Sequence, residues 1–378
     1  MIEKMTAAKA IVEVMSREGV EKAFCVPGES YLSVMDAIYD YPEISLISGR
    51  QEGGVAFMAE GYAKATGKVG VCLATRGPGA TNLSIGLHTA YQDSTPLVAF
   101  IGQVESNFIG REGFQEVDLE NFFTPIAKWA VEIRDPERVP EIIDRAIRTA
   151  ISGRPGPVVI SLPEDLLAQE AEMEFGGPHF TRPEPRPSRT EVSEFARLLH
   201  SAKRPLIIAG GGVKLAGAED ELVRFAEKCN IPVVASFRRH DVFPNHHPLY
   251  AGHLGLGTPK NILQTVEKAD CLIVFGSRLS EVTTQDYKII SSRHTLIHVD
   301  ISEETLGKTY PPHLGIVADI KQALLEFLTI DVKINWKNWA KECNESYKEA
   351  STLTEVKDLY DEVMTILIKM LPRDTLLT

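Results

Sequence analysis

The sequence predicts an α/β protein built as two parallel-sheet domains followed by a helical segment, and three observations carry that expectation. Short β-branched runs alternate with helical patterns up to about Leu162, the mark of βαβ units around a parallel sheet. A stretch with little periodicity, containing Gly176-Gly177-Pro178, Pro183, Pro185 and Pro187, then breaks the pattern. The alternation resumes beyond it and runs to about Leu328. The chain length of 378 residues fits, because roughly 150 residues per domain allows two or three cores.

Taken in order, residues 1–167 form the first domain, with strands expected at 23–26, 45–47, 69–75, 97–101 and 158–162 and helices between them. Gly153-Arg154-Pro155-Gly156-Pro157 stops the helix read at 139–152 and turns the chain into the last strand. Residues 168–189 read as an extended linker. The second domain, 190–328, has strands expected at 206–209, 233–235, 271–275 and 296–299, with Gly210-Gly211-Gly212 after the first and a helix at 218–229. Residues 329–378 read as a helical segment. Helices are expected at 336–350 and 357–371, the second carrying Leu359, Val363, Leu367 and Met370 at helical spacing, with a strand-like run at 375–378.

Composition narrows the function. The 40 Lys and Arg against 52 Asp and Glu leave a formal charge of −12, which disfavours a polyanionic partner such as nucleic acid. No run approaches the roughly 18 apolar residues of a bilayer-spanning helix, and the N-terminus lacks a basic region followed by an apolar one. The five cysteines, Cys25, Cys72, Cys229, Cys271 and Cys343, are scattered and form no C-x-x-C pair, which fits reduced, buried thiols and a cytoplasmic protein.

Candidate chemistry lies where strands of the first domain end, the place open α/β sheets use for ligands. Pro27-Gly28-Glu29-Ser30 follows a strand and opens a helix read at 31–39, with Ser30 as its expected N-cap and Glu29 at the positive end of the dipole. Glu52 opens an alanine-rich helix, and Gly53-Gly54 beside it allow a flat ligand or another backbone to come close. Thr75-Arg76-Gly77-Pro78-Gly79-Ala80-Thr81-Asn82 links another strand to a helix through a glycine turn from which Thr75 and Asn82 can point at a ligand. Gln103 ends a strand. Gln115 follows the loop Gly110-Arg111-Glu112-Gly113, which is expected to be able to close over a site. In the second domain His240, His246, His247 and His253 cluster around two prolines. Without a nearby cysteine or an i, i+4 spacing, they read as a polar loop rather than a zinc site.

In order along the chain, V-P-G-E-S, G-R-Q-E-G-G-V-A-F-M-A-E-G-Y-A-K-A-T-G, A-T-R-G-P-G-A-T-N, Y-Q-D-S-T-P-L-V, F-Q-E-V-D and S-G-R-P-G-P-V-V-I-S-L-P-E-D resemble the pyrimidine-binding domain of thiamine-diphosphate enzymes of the acetolactate synthase group. P-L-I-I-A-G-G-G, A-D-C-L-I-V-F-G-S-R and I-H-V-D-I are similar to that group's Rossmann-like central domain. The resemblance implies decarboxylation or carboligation of a small-molecule 2-oxo acid, with thiamine diphosphate as cofactor. It gives Glu52 the role of hydrogen-bonding a ring nitrogen of the aminopyrimidine from a desolvated pocket, and so promoting deprotonation of the thiazolium carbon. Pro27, Gly28, Thr75, Gly77, Asn82 and Gln103 would line the cofactor, with Gln115 at the reacting centre.

Departures from the group keep the substrate open. Glu29 stands where acetolactate synthases usually have a second glycine, and an acid there resembles simple 2-oxo acid decarboxylases, where it helps move protons. FAD, structural in the group, is left open: Arg154, Gly211, Gly212, Arg278, Asp300 and Asp319 match positions that would touch it. However, Leu279-Ser280-Glu281-Val282 and Gly255-Leu256-Gly257-Thr258 differ from the flavin-binding members. The group's diphosphate domain binds Mg²⁺ through a Gly-Asp-Gly start, and no Gly-Asp occurs here. The Mg²⁺ ligands are therefore expected outside this chain, and the run Asp374 to Thr378 is expected to be the first strand of a domain cut before its metal motif. The resemblance implies a homodimer or tetramer, with a chain carrying the diphosphate domain as a further expected partner, and this chain is expected to be inactive by itself. The competing reading is a non-catalytic nucleotide-binding or assembly module derived from the family.

Overall fold

The computed structural model describes residues 2–176, 180–332, 335–352, 356, 358–372 and 375. The chain divides into two compact units, Met1–Pro183 and Glu184–Thr378.

The first unit contains β1 (Ile2–Thr6), β2 (Lys22–Cys25), β3 (Ser45–Ser48), β4 (Gly70–Thr75), β5 (Leu97–Gln103), β6 (Trp129–Glu132), β7 (Pro157–Pro163) and β8 (Glu170–Glu174). Six of them form a parallel sheet in the order β3-β2-β4-β5-β7-β6. β5 and β7 are buried along their whole length, as strands covered by helices on both faces must be. One face is packed by Ile11 and Met15 of the helix Ala7–Arg17 and Ile143 and Ile147 of the helix Val139–Ile151. The other is packed by Val55, Ala56 and Ala59 of the helix Glu52–Thr66 and Leu83 and Leu87 of the helix Arg76–Asp93.

The stretch read as an extended linker is partly a strand. β8 pairs antiparallel with β1, Ile2 opposite Glu174 and Thr6 opposite Glu170. Its outward residues are mostly glutamates, so the run has no apolar signature, and β1 supplies the partner from the far end of the domain. The chain passes to the second unit only after Pro183.

The second unit contains β9 (Pro205–Ala209), β10 (Val233–Ala235), β11 (Tyr250–His253), β12 (Cys271–Phe275), β13 (Thr295–Asp300) and β14 (Leu314–Val317). They form a parallel sheet in the order β11-β10-β9-β12-β13-β14. The helix Lys337–Ser351 belongs to this core. Trp336 and Trp339 donate their indole N–H groups to Ala202 O at 3.1 Å and Pro205 O at 2.9 Å, and Asn344 Nδ2 donates to Tyr250 O at 2.8 Å. The helix Leu359–Met370 buries none of its residues. The strand expected at 375–378 lies outside the described residues apart from Thr375. No helix among the described residues is long and apolar enough to cross a membrane.

Candidate active site

In the first sheet the chain steps from β2 outward to β3 and then back to the other side of β2 for β4. This reversal opens a crevice beyond the carboxyl ends of β2 and β4, the usual ligand position in a doubly wound sheet. The helix after β3 and the helix after β4 both start beside it. Gln51 caps the first, its Oε1 accepting from Gly54 N at 2.7 Å. Glu52 follows in the first turn, where the free N–H groups favour a carboxylate. The two helices pack closely because Gly86 faces Ala56, and a Cβ on Gly86 would collide with it. That close packing brings Asn82 to Glu52: Asn82 Nδ2 donates to Glu52 Oε2 at 3.0 Å. Glu52 is half-buried, and its Oε1 takes no hydrogen bond from the described residues. The desolvated pocket expected around Glu52 is therefore not complete among the described residues.

The other walls are set by glycine. Pro27 and Gly28 follow β2, and a Cβ on Gly28 would stand 2.6 Å from Thr75 Cβ at the end of β4. Ser30 does not cap the following helix. Its hydroxyl hydrogen-bonds Thr75 Oγ1, and Gly102 in β5 leaves the room for it, since a Cβ there would collide with Ser30 Oγ. Glu29–Tyr31 form a 3-10 turn, and the helix proper is Leu32–Tyr39. Tyr31 is fully buried and donates to Val26 O. Burial raises its phenol pKa first, with Cys25 and Glu52 adding to the effect.

Gln103 is buried and both ends of its amide are used by backbone: Nε2 donates to Val117 O at 2.8 Å, and Oε1 accepts from Val104 N at 2.9 Å. It braces the loop that carries Gln115. Gln115 itself has φ 66° and an exposed side chain, and its carbonyl accepts from Gly77 N at 2.9 Å. Gly77 permits this approach, for its Cβ would lie 2.7 Å from Val117 Cγ2. The loop read as able to close is tied down by Glu116, whose carboxylate accepts from Gly110 N at 2.5 Å and Gly113 N at 2.8 Å. These two N–H bonds hold the Glu116 carboxyl below its ordinary range. Glu29 is exposed and pairs with Arg76, a partner the sequence reading passed over.

The residues matched to flavin contacts are spread over both units and are occupied by their own surroundings. Arg154, in the first, donates from Nε to Ser94 Oγ and from Nη2 to Tyr91 O, each at 2.8 Å. In the second, a Cβ on Gly212 would lie 2.6 Å from Gly276 Cα, and one on Gly211 would lie 2.9 Å from Arg239 Nε. Asp300 Oδ1 accepts from Ser302 N at 2.9 Å. Asp319 caps the helix Ile320–Phe327 by accepting from Lys321 N and Gln322 N at 2.9 and 3.2 Å. Arg278 is exposed beyond the end of β12. In the second unit, then, Gly212 serves close backbone packing against Gly276 and Asp319 serves as a helix cap.

Of the four histidines, His247 hydrogen-bonds Glu227 at 3.1 Å and accepts from Leu249 N at 3.1 Å. The His240 and His253 rings meet edge to face at 4.1 Å between centroids. Among the described residues no three His, Cys, Asp or Glu side chains gather to hold a metal. All five cysteines are free and buried.

The fold and the crevice define a class: a two-domain, doubly wound α/β protein with a carboxylate and an amide presented at the switch point of the first sheet. Residues 5–122 match the family model of the thiamine pyrophosphate enzyme N-terminal TPP binding domain, and residues 192–327 match that of the thiamine pyrophosphate enzyme central domain. The chain belongs to the thiamine pyrophosphate enzyme family. It is 37% identical over 341 residues to a probable acetolactate synthase large subunit of Methanocaldococcus jannaschii, covering 88% of this chain and 57% of that protein. It is 36% identical to the acetolactate synthase large subunit of Corynebacterium glutamicum (86% of this chain, 53% of that protein) and 35% identical to that of Lactococcus lactis (92% and 62%). The chain thus spans less than two thirds of the length of these relatives.

Proposed function

We propose that this chain supplies the pyrimidine-binding face of a thiamine-diphosphate site and works in the decarboxylation and carboligation of a 2-oxo acid, as an acetolactate synthase-like protein. The observation that carries this reading is the Glu52 carboxylate, held by Asn82 at one oxygen and open at the other. Bound thiamine diphosphate supplies the electron sink that the loss of carbon dioxide requires. Glu52 Oε1 holds a proton against the pyrimidine ring nitrogen, and Asn82 fixes the rotamer that aims it. Pro27, Gly28, Thr75 and Gly77 shape a flat slot, and Gln115 and Glu29 reach the reacting centre from their loops. Glu29 moves the proton in that role, and its presence favours simple 2-oxo acid decarboxylation as the second reading.

Completing the desolvated pocket needs a cover. Phe57, Met58 and Ile85, on the two helices that carry Glu52 and Asn82, are each at least 41% exposed, which supports a second copy over this face and a homodimer or tetramer. In this reading the diphosphate and Mg²⁺ are held by a diphosphate-binding domain outside the described residues. The buried free thiols support a reducing, cytoplasmic setting.

Calorimetry with thiamine diphosphate and Mg²⁺, paired with carbon dioxide release from pyruvate by this chain together with a chain bearing the diphosphate-binding domain, tests the proposal. Glu52→Gln is expected to lower turnover by ~10²-fold or more, the scale of a lost acid–base group. Turnover equal to the wild-type chain would remove Glu52 from the site.

A further inference from the structure

Arg76 is the first residue of the helix that follows β4, and it stands there with φ 44°, a left-handed conformation that a residue with a Cβ adopts only at a cost. The turn already uses glycine at 77 and 79, so backbone geometry does not account for an arginine at 76; the side chain must. The side chain is 13% exposed and reaches two carboxylates on other loops. Nη2 lies 2.8 Å from Glu164 Oε2, just beyond β7, and Nη1 lies 3.4 Å from Glu29 Oε1, just beyond β2. Neither of those strands pairs with the other: β4 and β5 stand between them. Arg76 Nε is buried without a partner, so among the described residues the Nη groups and these two carboxylates orient the guanidinium. Glu29, 69% exposed, has no other partner among the described residues.

We propose that Arg76 is a positioning residue that clamps the Glu29 carboxylate at the mouth of the crevice, with Glu164 anchoring the guanidinium from the far side. The proposal rests on the thiamine-diphosphate reading for what Glu29 does, but not for the clamp itself. Without the clamp, Glu29 would explore solvent-facing rotamers and meet the reacting centre only part of the time. A planar fork suits this task, because it can face two carboxylates at once where an ammonium would satisfy one.

Two measurements on the full chain test it. In hydrogen exchange followed by mass spectrometry, Arg76→Gly is expected to speed exchange of residues 26–31 about threefold or more while second-unit peptides stay unchanged. Unchanged exchange at 26–31 would overturn the clamp. In turnover of pyruvate with thiamine diphosphate, Mg²⁺ and a chain bearing the diphosphate-binding domain, Arg76→Gly is expected to lower kcat about tenfold with KM within about twofold, and to cause no further loss in a Glu29→Gln background. An equal loss in both backgrounds would show a purely structural arginine and overturn the positioning role. Arg76→Lys, which keeps the charge but not the fork, should fall between and serves if the glycine variant unfolds. If the wild-type chain does not turn over pyruvate even with a chain bearing the diphosphate-binding domain added, the thiamine-diphosphate reading is struck, while hydrogen exchange still decides the clamp.

Discussion

Asn82 Nδ2 donates to Glu52 Oε2 at 3.0 Å, joining the second turn of one helix to the first residue of its neighbour. The bond depends on the small residues packed beneath it, since Gly86 against Ala56 sets the spacing of the two helices. Asn82→Ala is expected to weaken thiamine-diphosphate binding about tenfold, one charge-assisted hydrogen bond's worth of orientation. Asn82 is exposed, so the unfolding midpoint in urea should stay where it is. Calorimetry and urea titration together check both halves.

Gly102→Ala places a methyl group into Ser30 Oγ, within strands that are wholly buried. Overpacking of this kind costs about 1–3 kcal/mol. Chemical denaturation should show the loss, and Ser30→Ala in the same chain should recover part of it by making room.

His298 is buried in β13 and donates from Nε2 to Ser277 O at 2.8 Å. Burial pushes its pKa down to about 4. The unfolded chain therefore binds a proton that the folded one refuses: this stability is complete above pH 6.5 and is lost as pH falls towards 4. At 1.36 kcal/mol per unit the full effect is about 3 kcal/mol. Urea midpoints measured between pH 7 and 4 should fall, and His298→Asn should flatten the slope.

Glu116 is held below its ordinary range by the N–H groups of Gly110 and Gly113. Its folded pKa is depressed, so the loop is anchored above the unfolded carboxyl value and released as pH falls through the folded one. Proteolysis within 108–116 should accelerate on acidification, and Glu116→Gln should give the same cleavage at pH 7.

Phe57→Glu places a charge on the exposed apolar face that the proposed second copy covers. Light scattering is expected to show the wild-type chain as a homodimer or tetramer and the variant as a monomer. A monomeric wild-type chain would remove the oligomer from the proposed function.

The central strands were legible in the sequence because burial on both faces demands continuous apolar, β-branched runs, as in Leu97–Gln103 and Pro157–Pro163. Apart from β3, the short edge strands were not. β1, β6, β8 and β11 mix polar with apolar residues over four or five positions, β14 is four residues with a glycine second, and a remote partner supplies what makes them strands. Trp336, Trp339 and Asn344 likewise join the second core through bonds to distant carbonyls.

By itself, then, the sequence determined the two α/β domains and the turns that present Glu52, Thr75, Asn82 and Gln115, because strand periodicity, glycine turns and helix starts are local matters. Only the tertiary structure decided which of these groups meet. Ser30 left a cap for Thr75, Gln103 became a brace under a loop, and Arg76 found Glu29 and Glu164. The physical reason is the strand order, β3-β2-β4-β5-β7-β6. It lays loops that are far apart in the chain along one edge, where ion pairs and hydrogen bonds form across the sheet.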